Sequence, residues 1–193
     1  MKSAFVTLAI GMMALLGSNG ALAQSTAATD QQRRFTIDLQ PGMSVIDHGT
    51  AQPSAIMVSI RSPESGASIG LCFVMRDANA DAVEMSRWAE TVTRAFAPAA
   101  FAQELTGKQG HRWIRTLSSK PFVSRTGWQG YMHVVERANR DTGIQQTAVM
   151  GGTMLNAETR ILLQCATPTT GGAPFSPADL GRIERMFTSV RLP

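Results

Sequence analysis

The sequence predicts an α+β domain: a largely antiparallel sheet with helices packed on it. Two observations carry this. Stretches of period-two hydrophobicity follow one another across short turns, whereas a period of about 3.6 appears only twice, once mid-chain and once at the C-terminal end. Strands and helices are therefore segregated rather than alternating, which disfavours βαβ units.

Residues 24–32, QSTAATDQQ, are polar and aperiodic and are expected to be flexible. In RRFTIDL, residues 33–39, Phe35, Ile37 and Leu39 alternate with polar neighbours, which predicts a half-buried strand ended by Pro41 and Gly42. SAIMVSIR and SIGLCFVMR read as two more strands, with SPESGA between them as a hairpin loop. The period then changes. Met85, Trp88, Ala89, Val92, Ala95 and Phe96 share one helical face, Asp81 and Glu84 resemble a capping box, and Pro98 marks the stop. Residues 99–110 fit no single pattern. HRWIRTL, KPFVSRT and WQGYMHVVER read as extended segments, followed after the turn ANRDTG by IQQTAVMGGTML and after NAE by TRILLQCAT. Ser176, with Pro177 at the first helical position and Asp179 three residues from the cap, opens a closing helix that buries Leu180, Ile183, Phe187 and Val190.

Residues 1–23 have the pattern of a secretory signal peptide: Lys2, an apolar run from Ala4 to Leu16, and Ala21 and Ala23 at the small-residue cleavage positions. The apolar run is shorter than the ~20 residues that cross a bilayer, and no other stretch is long enough, so no transmembrane segment is expected in the mature chain. A periplasmic or secreted protein follows, with residues 33–193 as one α+β domain.

The chain has two cysteines, Cys72 and Cys165, each in an apolar strand. They are either bridged or two buried thiols; an oxidising compartment and their number favour a disulfide between neighbouring or facing strands. Neither has a C-x-x-C partner or an adjacent cation, so a catalytic redox pair is not indicated.

Charge is uneven. Residues 24–110 carry 7 basic and 9 acidic side chains and residues 111–193 carry 10 and 5. A mildly basic half is compatible with an acidic partner or an anionic surface, and no nucleic-acid motif is present. The segment HRWIRTLSSKPFVSRTGW holds Arg112, Arg115, Lys120 and Arg125, interleaved with Trp113, Phe122 and Trp128, and contains no acid. Arg112, Trp113, Arg115, Lys120 and Arg125 are thus candidates for binding a protein or envelope component. The alternative is plain strand alternation, with aromatic rings inward and cations in solvent.

Other chemistry finds little support. Asp77, Asn79 and Asp81 alternate as in a calcium loop, but Ala82 and Trp88 occupy the positions that need glycine and glutamate. His48, His111 and His133 are isolated, although Met132 beside His133 has the softness copper prefers, and no cluster suits zinc. Around Ser44, Gly42 is present but Ile46 stands where a nucleophile elbow needs its second glycine. No catalytic, metal or cofactor residues are assigned.

The element order, with the start RFTIDLQPG, the central GWQGYMHVVER, the late strand ILLQCATP and the ending IERMFTSVRLP, resembles the PsbP-like fold over about residues 33–193. That fold is an α/β/α sandwich shared by extrinsic photosystem proteins, exported bacterial proteins and a nuclear-import factor. The resemblance implies a non-catalytic module that contacts a macromolecular partner and brings no site residues with it. A periplasmic hydrolase with an unrecognised site and a small-ligand carrier are the alternatives, and the oligomeric state is open. The exported chain is expected to begin at Gln24 and to weigh two hydrogens less than its reduced form; two alkylatable thiols in native protein would refute the bridge.

Overall fold

A computed structural model describes residues 27–47, 55–77, 90, 94, 96, 99–108, 110–156, 159–168 and 173–193. The strands are β1 (Ala27–Thr29), β2 (Thr36–Asp38), β3 (Met43–Asp47), β4 (Ala55–Arg61), β5 (Ser68–Asp77), β6 (His111–Val123), β7 (Gln129–Asn139), β8 (Gln145–Asn156) and β9 (Thr159–Ala166). Among the described residues, the helices traced from end to end are α1 (Ala99–Lys108) and α2 (Pro177–Thr188). β3 to β9 form one seven-stranded sheet in the order β3-β4-β5-β9-β8-β7-β6, and β1 pairs with β2 in a small separate ribbon. Every pairing is antiparallel. The molecule is thus α+β with a predominantly antiparallel sheet.

Two local meanders, β3-β4-β5 and β6-β7-β8-β9, meet at the β5–β9 ladder. There Cys72 lies directly opposite Cys165, with Cα atoms 4.0 Å apart, and the two are joined in a disulfide. Both residues are fully buried among Ile56, Val58, Val74, Ile161 and Leu163. The bridge closes a loop spanning a sequence separation of 93.

β8 shows why strict alternation disappears mid-sheet. All residues from Gln146 to Leu155 are buried, because both faces are covered. On one face, Val149 and Leu155 belong to a core that includes Ile183, Met186 and Phe187 of α2. On the other, Ala148 and Met150 cluster with Ala102 of α1. β8 also carries two adjacent glycines at close approaches. A Cβ on Gly151 would stand 3.1 Å from the Phe187 ring, and one on Gly152 would collide with the ring of Phe96.

α2 begins as its sequence predicts. Ser176 Oγ accepts from the Asp179 backbone N–H, and the Asp179 carboxylate accepts from the Ser176 N–H, completing a capping box. Burial of Asp179 raises its pKa, but hydrogen bonds from Ser176 and Arg182 outweigh that and hold it below the usual carboxylate range. The buried Arg182 also donates to the backbone carbonyls of Pro41 (2.6 Å) and Arg61 (3.2 Å), tying α2 to the end of β4 and the turn before β3.

Three expectations are corrected. Residues 24–32 are not wholly flexible: Ala27–Thr29 is a strand, and the buried Asp30 anchors a turn by accepting from backbone N–H groups of Gln32, Arg34 and Phe35. That turn also delays the predicted strand over 33–39, of which only 36–38 pairs. The two extended segments expected over 111–117 and 120–126 are joined in one 13-residue strand that ends at Val123, in which Pro121 is tolerated because β6 is an edge strand. The unassigned residues 99–110 contain α1. The helix predicted over 81–96 lies outside the described residues except for 90, 94 and 96, which are helical.

Replacing both cysteines by alanine is expected to cost about 4.6 kcal/mol of unfolding free energy, from the loop-entropy relation for a closure of this length. Urea unfolding of the double variant against the oxidised parent measures this; a loss under about 1 kcal/mol would show that the sheet needs no staple.

Candidate functional site

β6 carries the segment that the sequence marks for binding, and its register decides where each side chain goes. Two bulges, between Trp113 and Arg115 and between Thr116 and Ser118, interrupt its pairing with β7. Trp113 lies opposite Arg137, whereas Arg112, Arg115 and Lys120 lie opposite Ala138, Glu136 and Met132. Even-numbered β7 positions share one face, so the register sets these three cations in one row and Trp113 on the other side of the sheet. Trp113 packs against Ala102, Val135, Ala148 and Met150. Phe122 faces the α2 core, its ring centroid 5.3 Å from that of Phe187. The interleaved aromatics are therefore interior groups, not a stacking surface alongside the cations.

The absence of acids along this segment does not survive folding. Arg115 pairs with Glu136 at 2.7 Å, Lys120 with Glu184 at 2.6 Å and Arg125 with Asp38 at 2.7 Å. The partners come from β7, α2 and β2, none visible as neighbours in sequence. Arg115 holds the Glu136 carboxyl below its ordinary pKa, chiefly by the side-chain hydrogen bond. Arg112 is exposed. The result is a stripe of mixed charge rather than a cationic patch.

Two apolar side chains of the β6 segment are exposed. Leu117, in the second bulge, is 46% exposed, and Val123, at the strand's end, is 62% exposed. Bulges, a lysine and a proline all blunt this edge against further strand pairing. What remains available is side-chain contact, with Leu117 an apolar group between charged residues along the strand and Val123 opposite Gln129 at its end.

The chemical candidates are also placed. Met132 is in the core with α2, while the adjacent His133 points to the opposite face, where its Nε2 lies 2.5 Å from the Phe96 carbonyl oxygen. The pair cannot converge on one ion. Among the described residues, no group of three or more His, Cys, Asp and Glu side chains could hold a metal. Ser44 sits within β3 opposite Ser59, not at a strand-to-helix elbow. Asn79 and Asp81 of the calcium-like string lie outside the described residues. Arg137 is buried, and desolvation lowers its pKa to about 10, which leaves it charged at neutral pH.

The sequence reading missed a cleft at the end of β5 and β9. It has a volume of about 420 Å³ and is lined by Arg33, Arg34, Arg76, Thr159, Leu192 and Pro193. Arg33 and Arg34 are adjacent but Arg76 lies 42 positions further on, so no local motif joins the three. No helix among the described residues is long and apolar enough to cross a membrane.

No family model and no curated protein matches this chain. Among solved structures, it is similar to the Ran-binding protein Mog1p of Saccharomyces cerevisiae, with 14% identity and a TM-score of 0.54 over 86% of this chain and 94% of that one. A protein of Bacteroides thetaiotaomicron VPI-5482 aligns at 10% identity and a TM-score of 0.48 over 88% of this chain, which spans only 49% of its length. At these identities the likeness to Mog1p concerns the fold alone.

Because the Lys120–Glu184 pair is exposed, Lys120→Ala is expected to change stability by under about 1 kcal/mol, with the double variant Lys120→Ala/Glu184→Ala no worse than additive. For Glu136 the folded pKa is the lower one. Its pair with Arg115 thus stabilises fully above the unfolded carboxyl value of about 4.3 and fades as pH falls through the folded value. Acid unfolding of Glu136→Gln, compared with the parent, should show a gap that closes in that window.

Proposed function

We propose that this protein is an exported, disulfide-stapled module of PsbP-like α/β/α architecture that acts by binding a protein partner in the cell envelope. The observation that carries the reading is the open edge of β6, where Leu117 is exposed along the strand between the charged Arg115 and Lys120 and Val123 is exposed at the strand's end. Apolar contacts would supply affinity there, and Arg112, Arg115, Lys120 and Arg125 would set orientation and specificity. Trp113 supports the strand from inside and is not part of the contact.

Other features support the parts of this reading. A buried cysteine bridge suits an oxidising compartment, in agreement with the signal-peptide pattern of residues 1–23. The likeness to Mog1p, with α1 and α2 contributing to cores on opposite faces of the sheet, supports the sandwich architecture. Mog1p is itself Ran-binding, which makes protein recognition a use to which this scaffold has been put; Ran is not implied as the partner here.

A photo-crosslinking side chain placed at Leu117 or Val123 is expected to trap a discrete partner in intact cells. The same group at Ile46, which is 57% exposed on the opposite edge strand β3, should not. Equal trapping at all three positions, or none at 117 and 123, would remove the β6 edge as the contact surface.

A further inference from the structure

We propose that the cleft at the end of β5 and β9 is a binding site for a phosphoryl group, carried by a soluble phosphate ester or by a phospholipid headgroup. The site is separate from the β6 edge, with β8 and β7 lying between β9 and β6. Four separate segments build it. Arg33 and Arg34 come from the turn between β1 and β2, Arg76 from the end of β5, Thr159 from the start of β9, and Leu192 and Pro193 from beyond α2.

Three guanidinium groups around one cleft repel each other unless anions offset them, and the described aspartates of the β1–β2 ribbon, Asp30 and Asp38, are committed elsewhere. Asp30, only 2% exposed, spends its carboxylate on the backbone N–H groups of Arg34 (2.5 Å), Phe35 (2.9 Å) and Gln32 (3.3 Å). Asp38 pairs with Arg125 and Arg191, each at 2.7 Å. Among the described residues, Arg33, Arg34 and Arg76 make no ion pair. Each presents five N–H donors in a planar fork, and the Thr159 hydroxyl adds another. A dianion with several acceptor oxygens matches this set better than a single carboxylate.

The backbone points the same way. Arg33 has φ +52°, the left-handed region in which glycine is the default and a bulky side chain is rare. Its N–H donates to Asp30 O at 2.9 Å, so the Asp30 turn holds the conformation. The turn thereby fixes the Arg33 backbone at a position from which its side chain lines the cleft. The depression is wide and open to solvent, about 420 Å³, and so has room for more than a bare phosphate. Leu192 offers an apolar wall for the organic part of the ligand.

The test is titration of the ¹⁵N-labelled, disulfide-bonded chain with sodium pyrophosphate at constant ionic strength, following the amide signals of Gln32, Arg34 and Thr159. Saturable shifts are expected. Arg76→Gln should weaken binding about tenfold, the loss of charged hydrogen bonds at one guanidinium. Arg33→Gly should weaken it similarly while leaving the melting temperature unchanged or raised, because glycine relieves the left-handed backbone. Arg140→Gln, which removes an equal charge from an exposed turn, should change affinity by less than about twofold. Flotation with phosphatidylcholine vesicles, with and without phosphatidic acid, separates the sources: capture on the acidic vesicles assigns the headgroup, and pyrophosphate binding without capture assigns a soluble ester. Shifts that never saturate, or an Arg140→Gln loss equal to that of Arg76→Gln, would overturn the proposal as generic charge attraction.

Discussion

The β5–β9 ladder joins two pieces of sheet that are otherwise made from sequence neighbours. β3, β4 and β5 pair in order, as do β6 through β9, and each pairing within those groups closes a modest loop. Only β5 and β9 must find each other across a separation of more than ninety residues, at an entropic cost that grows with loop length. A slip of one residue there would turn every side chain of one half to the wrong face. Placing Cys72 opposite Cys165 makes the correct register a covalent fact. The core under α2 depends on it, because Ile183, Met186 and Phe187 pack with Ile56 and Val58 from one half and Met132 and Val149 from the other.

The ends of the chain are secured by a second set of contacts, polar rather than apolar. Thr36 and Arg191 exchange backbone hydrogen bonds at 2.8 and 3.0 Å, and Ser189 Oγ accepts from the Asp38 N–H at 2.7 Å. Asp38 then binds both Arg125 and Arg191. The β1–β2 ribbon is therefore held by the segment that follows α2, and the arginine cleft lies where these remote pieces converge. Its geometry is a product of tertiary closure.

How much of this was legible in the sequence follows from the range of each interaction. The capping box of α2 uses residues three apart, and the strand periods of β4, β5, β7 and β9 are equally local, so they could be read directly. The Cys72–Cys165 bridge was legible because two sulfurs offer one pairing. α1 was not, since Gly107 and the neighbouring proline and glycine signals compete with its alanines. The neutralisation of Arg115, Lys120 and Arg125 was invisible because Glu136, Glu184 and Asp38 lie 21, 64 and 87 positions away. The cleft failed to register for the same reason: Arg33 and Arg76 become neighbours only when the ribbon closes.

The paired glycines of β8 have a consequence for how the layers communicate. Where Gly151 and Gly152 pass, Phe187 approaches from one face of the sheet and Phe96 from the other, with only peptide backbone between them. At Gly70 and Gly130 a single ring, Phe175 or Phe122, meets the backbone in the same way, but here rings come from both sides. At this point the sheet is as thin as a polypeptide can be, so a displacement of α2 at Phe187 would reach Phe96 through a single rigid plane.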